Sequence, residues 1–580
     1  KILTGVDEIL SQHDQQIDEH MPHSLVNCAG YRLDDIRENG QIHLARLLTG
    51  SEGTLGLITS ATVSTSQLPA HQNSVLLFFE SIDKAARAVQ EIRKLGPSAC
   101  DLMDRRHLSL ARERDLRYEF LIPQVAEAVL LVEYSGDSND EIRDLLNETV
   151  NKLERAKLLS GSHLALDPID HEMLWQLARR FVPTLYRLKG STRPVPYVED
   201  VAVPPDQVPA FLQELQQILK QQQVTASLFG HVGHGQLHIR PFLDVSDPAD
   251  VDKLRTLADR IYAEVWNVGG TISGEHGDGL SRTPYLQKQY GPLTEAFSEI
   301  KELFDPNELL NLGKIIPPQN KKPLQNLRRV TYAQDVIEDL GVRDAPSNGP
   351  LVPAITELQL DWQPEEMAHT ARICNGCGTC RTRSELTRMC PIFRYAPREE
   401  ASPRAKANLM RGLLTGTLPP GTVLEDEFKK IADLCVHCHM CRLECPAEVD
   451  IPKLMVEAKA SYVATNNQPL FDWLLTRVDD LCAIGSRFSR LANWAIANRI
   501  ARWMMEKSMG IAQGRKLPRF SNRPFLSRSV QRRINRAQRT EGEKVLYFVD
   551  TYANYCDTQL AEALVAVLEH NGISVYVPDR

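Results

Sequence analysis

The chain has 580 residues, 42% of them hydrophobic and 24% charged, and at roughly 100–200 residues per domain such a length excludes a single small module. Its 67 Lys and Arg against 75 Asp and Glu give a formal net charge of −8, which argues against bulk nucleic-acid binding, and its apolar content argues against disorder. No apolar run approaches the roughly 18–20 residues that cross a bilayer, and KILTGVDEIL lacks the charged-then-apolar plan of a signal peptide, so a soluble or peripheral cytoplasmic protein is expected. The first residue is Lys and the last strand-like segment stops at VYVPDR, so both ends are expected to be cut from a longer polypeptide.

In chain order, residues 1–70 are Gly-rich and mixed, and end in GSEGTLGLITSATVSTSQLP. This is a Gly loop followed by an alternating strand, the tail of a domain. Over residues 71–318, strand-like runs such as SVLLFF and AVLLVEY alternate with helical stretches such as IDKAARAVQEIRKLG, which predicts an α+β or α/β domain. Residues 319–362 carry Pro, Asn and Gly without a sustained period and fit a connector. A cysteine-rich domain follows over 363–465, then a basic, helically patterned connector over 466–542. From 543 to 580, KVLYFVD, TQLAEALVAVLEHNG and ISVYVP spell β-α-β, the start of a cysteine-rich α/β domain that needs more chain to cover its sheet. The fold class expected is therefore α+β multidomain.

Eight of the twelve cysteines fall between Cys374 and Cys445, while Cys28, Cys100, Cys482 and Cys556 are scattered. Clustering of that kind points to a metal centre rather than a disulfide framework. Cys435-x2-Cys438-x2-Cys441-x3-Cys445-Pro446 has the spacing of bacterial ferredoxins, and Cys374-x2-Cys377-x2-Cys380 repeats it with the last interval stretched to Cys390-Pro391. A Cys before Pro ligates the other cluster in two-cluster ferredoxins. Cys374, Cys377, Cys380 and Cys445 are accordingly assigned to one [4Fe–4S] cluster, and Cys435, Cys438, Cys441 and Cys390 to the other. Two tetrahedral Zn²⁺ sites are the bland alternative, but zinc ribbons favour paired CxxC units. His437 and His439, between ligand cysteines, are expected to tune hydrogen bonding rather than bind iron. The isolated Cys28, Cys100 and Cys482 are expected to be ordinary thiols, and the role of Cys556 stays open.

The densest histidine group is GHVGHGQLHIRP, with His231, His234 and His238. Gly233 and Gly235 make a helix poor there, and a turn at the glycines between two strands lets two imidazoles converge. A second segment, GGTISGEHGDG, presents Glu275 beside His276. Two His and one Glu make an open three-ligand metal site, whereas any one of these histidines alone is more often a core or surface residue with satisfied hydrogen bonds.

Together, GSEGTLG at 50–56, VEDVAVP at 198–204, GHVGHGQLHIRP at 230–241, GGTISGEHGDGLSR at 269–282 and FDPNELLNLGK at 304–314 resemble the FAD-linked oxidase family of D-2-hydroxyacid dehydrogenases. The plan is similar to large bacterial fusions of that flavoprotein with a two-cluster ferredoxin domain and a cysteine-rich electron-transfer region. The resemblance implies that residues 1–70 are the back half of a vanillyl-alcohol-oxidase-type FAD domain and that 71–318 form the substrate and metal domain. It implies FAD near Gly50, Ser51, Glu52, Gly53 and Thr54, divalent-metal ligands His231, His238 and Glu275, and His276 as base beside the flavin. The family's Asp between the ligand histidines is His234 here, Leu312 replaces its usual Pro, and its Trp-x-x-Arg carboxylate clamp is offset to Trp175 and Arg179.

The resemblance implies oxidation of a D-2-hydroxy acid, of the D-lactate or D-2-hydroxyglutarate class, to the 2-oxo acid. Electrons would pass from flavin through the clusters to a cytochrome, quinone or protein acceptor. Zn²⁺ is the expected cation, with Mn²⁺ or Fe²⁺ as alternatives. Arg179 is the first candidate for the substrate carboxylate, and Arg180, Lys189, Arg193 and Arg240 are available for a second one. The rival reading is an electron-transfer subunit or scaffold whose flavoprotein half is inactive. The basic helices of 466–542 add a reading of peripheral contact with an anionic membrane, on the inner face.

Overall fold

The computed structural model describes residues 1–186, 188, 192–317, 323–324, 327, 358–384, 388–527, 534–535 and 543–578. Lys189, most of the expected connector 319–362 and most of 528–542 lie outside the described residues. The chain divides into two compact units, Lys1–Lys459 and Ala460–Arg580.

In the first unit a short pair, β1 (Arg37–Glu38) and β2 (Gln41–Ile42), precedes the main sheet. That sheet holds β3 (His71–Phe79), β4 (Ala99–Asp104), β5 (Ala128–Gly136), β6 (Gly161–Ala165), β7 (Arg193–Pro194), β8 (Val201–Ala202), β9 (Ala226–Gly230) and β10 (Gln236–Leu243). Its spatial order is β6-β3-β5-β4-β9-β10-β7, with β8 also paired to β10, and every pairing is antiparallel. The domain is therefore α+β.

SVLLFF shows no apolar–polar alternation because both faces of β3 are covered. Val75, Leu77 and Phe79 join one core with Val89, Leu146 and Phe211, while Leu76 and Phe78 join a second core with Leu108, Leu174 and Leu177. Successive side chains of a strand point to opposite faces, so an unbroken apolar run fills both, and each fully buried Leu or Phe contributes about 1.5–3 kcal/mol. The covering helices start on side-chain caps. Ser81 Oγ accepts the Lys84 N–H at 3.2 Å at the start of Ile82–Arg93, and Asp247 accepts the Ala249 N–H at 2.9 Å at the start of Pro248–Asn267.

The N-terminal segment does not stand apart. Val6 and Leu10 on the helix Ile2–Gln12, with Tyr31 and Leu47, lie in the same core as Tyr290 and Phe297. The alternating strand expected after the Gly loop is not formed. Residues 57–69 have no regular structure, and Leu57, Ile58, Val63 and Leu68 are exposed. The pattern is that of a strand, but among the described residues no neighbour pairs with its backbone N–H and C=O groups.

The cysteine-rich region is helical, with helices Pro364–Arg372, Pro403–Leu414, Asp426–Asp433 and Ile451–Asn466. Its core holds Met367, Met410, Leu413, Phe428, Leu454 and Met455. The core begins before residue 363. Trp362 is buried within it, Leu358 and Leu360 pack on it, and the Glu457 carboxylate accepts the Gln359 N–H at 2.7 Å and the Trp362 indole N–H at 3.0 Å.

The second unit has helices Leu470–Leu475, Val478–Arg487, Ser489–Ala497 and Arg499–Met509, then β11 (Lys544–Leu546), the helix Thr558–His570 and β12 (Ser574–Tyr576). The two strands pair in parallel, which gives the expected β-α-β unit. Its small core holds Phe525, Val549, Ala561, Val565 and Val575. Among the described residues, no helix is long and apolar enough to cross a membrane.

Candidate functional site

The expected turn at the glycines joins β9 to β10, with His238 opposite Phe229 in the register. Gly235 makes the turn with φ +80°, and a Cβ there would lie 1.9 Å from the Val203 carbonyl oxygen, so no side chain fits. The turn carries His231, and β10 carries His238. The Glu275-His276 loop approaches from the other side.

One ligand atom from each of His231, His238 and Glu275 lies within 4.8 Å of the others, and the same holds for Glu199, His238 and His276. His238 Nε2 and His276 Nε2 each stand 3.4 Å from Glu275 Oε1. The His238 and His276 rings stack with centroids 5.1 Å apart. His234 stays on the turn and enters neither ligand set.

Four residues hold this arrangement. Asp101 on β4 bonds His231 Nδ1 at 2.8 Å, which leaves Nε2 to face the cluster. That bond, more than any other influence, raises the His231 pKa above 6.5. Glu199 bonds His276 Nδ1 at 3.2 Å and pairs with Arg240. Burial works to raise the Glu199 pKa, but the bond to His276 and the Arg240 charge outweigh it and hold the carboxyl down at about 2. The same bond raises His276 above 6.5. His238, with Nε2 beside Glu275, is the first cause that holds the Glu275 carboxyl at about 2. Asp200, buried with φ +62°, accepts the Glu275 N–H at 3.1 Å, the His276 N–H at 2.7 Å, the Ser273 hydroxyl at 2.8 Å and the Gln236 amide at 2.6 Å. The donor set, with the buried His238 Nδ1 left unpartnered among the described residues, suits a divalent cation of the zinc type.

The structure does not bring Arg179 to these imidazoles. Its guanidinium pairs with Glu172 at 2.8 Å, is 60% exposed, and lines a hollow with Arg180 and Arg388. A one-position offset in the Trp175 motif sits on a helix, where one residue turns a side chain to a new direction. The guanidinium next to the histidines is Arg240, two residues beyond His238 on the same face of β10, and its buried Nε has no partner among the described residues. Trp175 lines a cavity with His231 and His234.

The GSEGT turn meets the same loop. Glu52 accepts the Asp278 N–H at 2.5 Å and the Gly279 N–H at 3.0 Å. Ser51 and Thr54 are buried, with their hydroxyls donating to the Leu48 and Ser51 carbonyls. Gly50 and Gly53 have φ +79° and +71°, and nothing lies within 4 Å of where a Cβ would stand. An open backbone of that kind fits close approach by a flat cofactor.

The eight clustered cysteines line two cavities. Cys374, Cys377, Cys380, Cys441 and Cys445 line one, and Cys390, Cys435, Cys438 and Cys441 line the other, so that Cys441 borders both. Burial first, and then the crowding of Cys374, Cys377 and Cys445, pushes Cys380 up to about 11; burial and then Cys435, Cys438 and Cys390 push Cys441 up to about 12. Four thiols so arranged ionise together only around a cation. His437 Nε2 takes the Lys459 ammonium at 3.1 Å, and lies beside the second cavity with His439. Cys482 and Cys556 are free thiols that share a hydrogen bond in the second unit, a pairing with no signal in the sequence.

Residues 68–315 match the model of FAD linked oxidases, C-terminal domain, and residues 373–450 match the 4Fe-4S dicluster domain. The two matches join a flavin-linked oxidase domain to an iron–sulfur domain in one chain, and these domains imply FAD and iron–sulfur clusters. The chain is 26% identical to a D-2-hydroxyglutarate dehydrogenase of Escherichia coli over 99% of this chain and 59% of that protein, and 24% identical to that of Haemophilus influenzae over 94% and 56%. It is also 30% identical to glycolate oxidase subunit GlcD of Bacillus subtilis over 50% of this chain and 62% of that one. The chain thus spans 59% of the length of the first of these relatives. Among solved structures it is similar to p-cresol methylhydroxylase, with 15% identity over 44% of this chain and 54% of that one and a TM-score of 0.34.

Proposed function

We propose that the chain is part of an FAD-dependent dehydrogenase that oxidises a D-2-hydroxy acid, of the D-2-hydroxyglutarate or D-lactate class, to the 2-oxo acid. The observation that carries the reading is His276, held by Glu199 on one ring nitrogen and facing Glu275 with the other, beside His231 and His238. Names of the relatives support the substrate class.

Bound FAD supplies a two-electron acceptor for the C2 hydride, and bound clusters carry the electrons singly to a cytochrome, quinone or protein. A divalent cation held by His231, His238 and Glu275, Zn²⁺ by its ligand set, supplies Lewis acidity toward a substrate oxygen. His276 Nε2 takes the hydroxyl proton, and the Glu199 carboxylate steadies the imidazolium that results. Arg240, with its free Nε donor, pairs with a substrate carboxylate. The backbone at Gly50 and Gly53 would border a bound flavin. Cys374, Cys377, Cys380 and Cys445 hold one cluster and Cys390, Cys435, Cys438 and Cys441 the other, with each Cys-Pro cysteine serving the set distant from it in sequence.

A panel of D- and L-2-hydroxy acids, assayed with a dye acceptor on the complete FAD-loaded polypeptide, tests this. Turnover of D-acids is expected, and turnover of L-isomers alone, or of none, refutes it.

A cytoplasmic protein with peripheral contact to an anionic membrane is the accompanying reading for the second unit. Trp473, Trp494 and Trp503 are exposed there, and the helices of Trp494 and Trp503 also carry Arg490 and Arg499. Salt-dependent pelleting with anionic liposomes is expected, and its absence removes the reading.

A further inference from the structure

Lys406 stands on the first turns of the helix Pro403–Leu414 and is only 2% exposed. A lysine at a helix surface ordinarily extends its ammonium to water. This one turns inward and donates to the carbonyl oxygens of Ala401 at 2.7 Å and Glu400 at 3.1 Å. Carbonyl dipoles solvate a cation without neutralising it, and among the described residues no carboxylate forms an ion pair with Lys406. A buried charge without a counter-charge costs several kcal/mol. Burial lowers the Lys406 pKa, and a nearby anion is what keeps the ammonium charged against it.

The side chain lines the cavity of Cys390, Cys435, Cys438 and Cys441. The Ala401 carbonyl that accepts its ammonium lies 4.0 Å from Cys390 Sγ. The thiols that act on it electrostatically are Cys390, Cys435 and Cys441 first, then Cys380 of the other set. Of the other cations near the cysteines, half-buried Arg411 donates to the Cys374 carbonyl at 3.2 Å, while Lys459 and Arg404 stand beside carboxylates. Lys459 reaches the Cys435 carbonyl at 3.1 Å but stands 3.7 Å from Asp433 and is 25% exposed, and Arg404, beside the first cavity, pairs with Glu399 at 2.8 Å. Paired, solvated charges act weakly at a distance.

Resting on the iron–sulfur reading above, we propose that the buried ammonium of Lys406 raises the reduction potential of the cluster held by Cys390, Cys435, Cys438 and Cys441 above that of its neighbour. A cubane with four thiolates is anionic and gains one more negative charge on reduction, so a fixed cation beside it favours the reduced form. One electron then leaves the reduced cluster of Cys374, Cys377, Cys380 and Cys445, which is oxidised, and reduces the cluster beside Lys406. No proton or bond changes hands. Lys406 thus gives the pair a direction, with the Cys390 set as the resting place for an electron on its way out.

The test is an anaerobic redox titration, followed by electron paramagnetic resonance, of the complete polypeptide as wild type, Lys406→Gln, Lys406→Arg and Lys459→Gln. Iron and acid-labile sulfide are assayed on each. The expected result is a fall in one midpoint potential in Lys406→Gln, a smaller shift in the other, wild-type potentials in Lys406→Arg, and a lesser shift in Lys459→Gln. Loss of only the second cluster from Lys406→Gln, with both kept in Lys406→Arg, supports the same need for charge. Unmoved potentials in a fully loaded Lys406→Gln overturn the proposal, as does a fall in Lys406→Arg equal to that in Lys406→Gln. Wild-type protein without iron and sulfide overturns the iron–sulfur reading itself, a distinct failure.

Discussion

The buried carboxylate of Asp200 accepts the backbone N–H of His276 at 2.7 Å. With the Glu275 N–H and the Ser273 hydroxyl on the same carboxylate, one side chain fixes the loop that aims Glu275 and His276 at His231 and His238. Asp200→Ala strands these donors in a buried place, at about 1–3 kcal/mol for each group left unsatisfied. The expected outcome is a clear fall in thermal unfolding temperature together with loss of metal retention. Asp200→Asn keeps two acceptor lone pairs and tolerates the left-handed backbone, so it should fall between the two.

Glu199 and His276 form a pair whose stability depends on pH in opposite directions. The Glu199 carboxyl is depressed from 4.5 to about 2, so its contribution is present above pH 4.5 and is lost as pH falls toward 2. His276 is raised above 6.5, so its contribution is complete below pH 6.5 and is lost as pH rises through the raised value. The pair therefore stabilises most between these limits. Glu199→Gln should flatten the acid limb of a stability profile measured by denaturant unfolding. Because a base works unprotonated, kcat/KM should rise with pH through the His276 titration, and the same substitution should move that limb to lower pH. A limb that stays in place removes Glu199 from its role.

How much of this was legible in the sequence follows the range of the interactions. The cysteine groups and the β9–β10 turn could be read because ligand spacing and glycine punctuation are local. Asp101 could not, since it meets His231 from 130 residues away, within ACDLMD, a strand that carries a second aspartate, Asp104, and nothing local to tell the two apart. The buried Lys406 has no local mark either. Arg179 was misjudged because sequence distance from Trp175 does not say which side of a helix faces the site. The strand expected at 57–69 had the right alternation, but pairing depends on a neighbour that no local pattern reports.

The proposed crossed use of the two Cys-Pro cysteines has a direct spectroscopic consequence. Cys445 lines the cavity of Cys374, Cys377 and Cys380, although it follows Cys441 closely in sequence. Cys445→Ser should therefore disturb the same electron paramagnetic resonance signal as Cys374→Ser, and Cys390→Ser the same signal as Cys435→Ser. If Cys445→Ser instead matches Cys435→Ser, each cluster takes its ligands from one contiguous segment.

Asp101 acts on the proposed cation site without being one of its ligands. By bonding His231 Nδ1 it fixes the tautomer that leaves Nε2 as ligand and raises the basicity of that nitrogen. Asp101→Asn keeps the size and a hydrogen-bonding group but removes the charge, and a loss of about 10–100-fold in metal affinity is the usual effect at such a partner. His231→Ala removes the ligand itself and should lose more. Competition with a chelator of known affinity, read as bound Zn²⁺ by atomic absorption, ranks the three proteins. Flavin and cluster spectra should stay unchanged in both variants, because neither residue lines a cysteine cavity or belongs to the GSEGT turn. An Asp101→Asn protein that binds Zn²⁺ as tightly as wild type would show that His231 holds its tautomer without help, or that the cation sits instead on the alternative set of Glu199, His238 and His276. His231→Ala separates those two outcomes, since only the first predicts a loss of affinity.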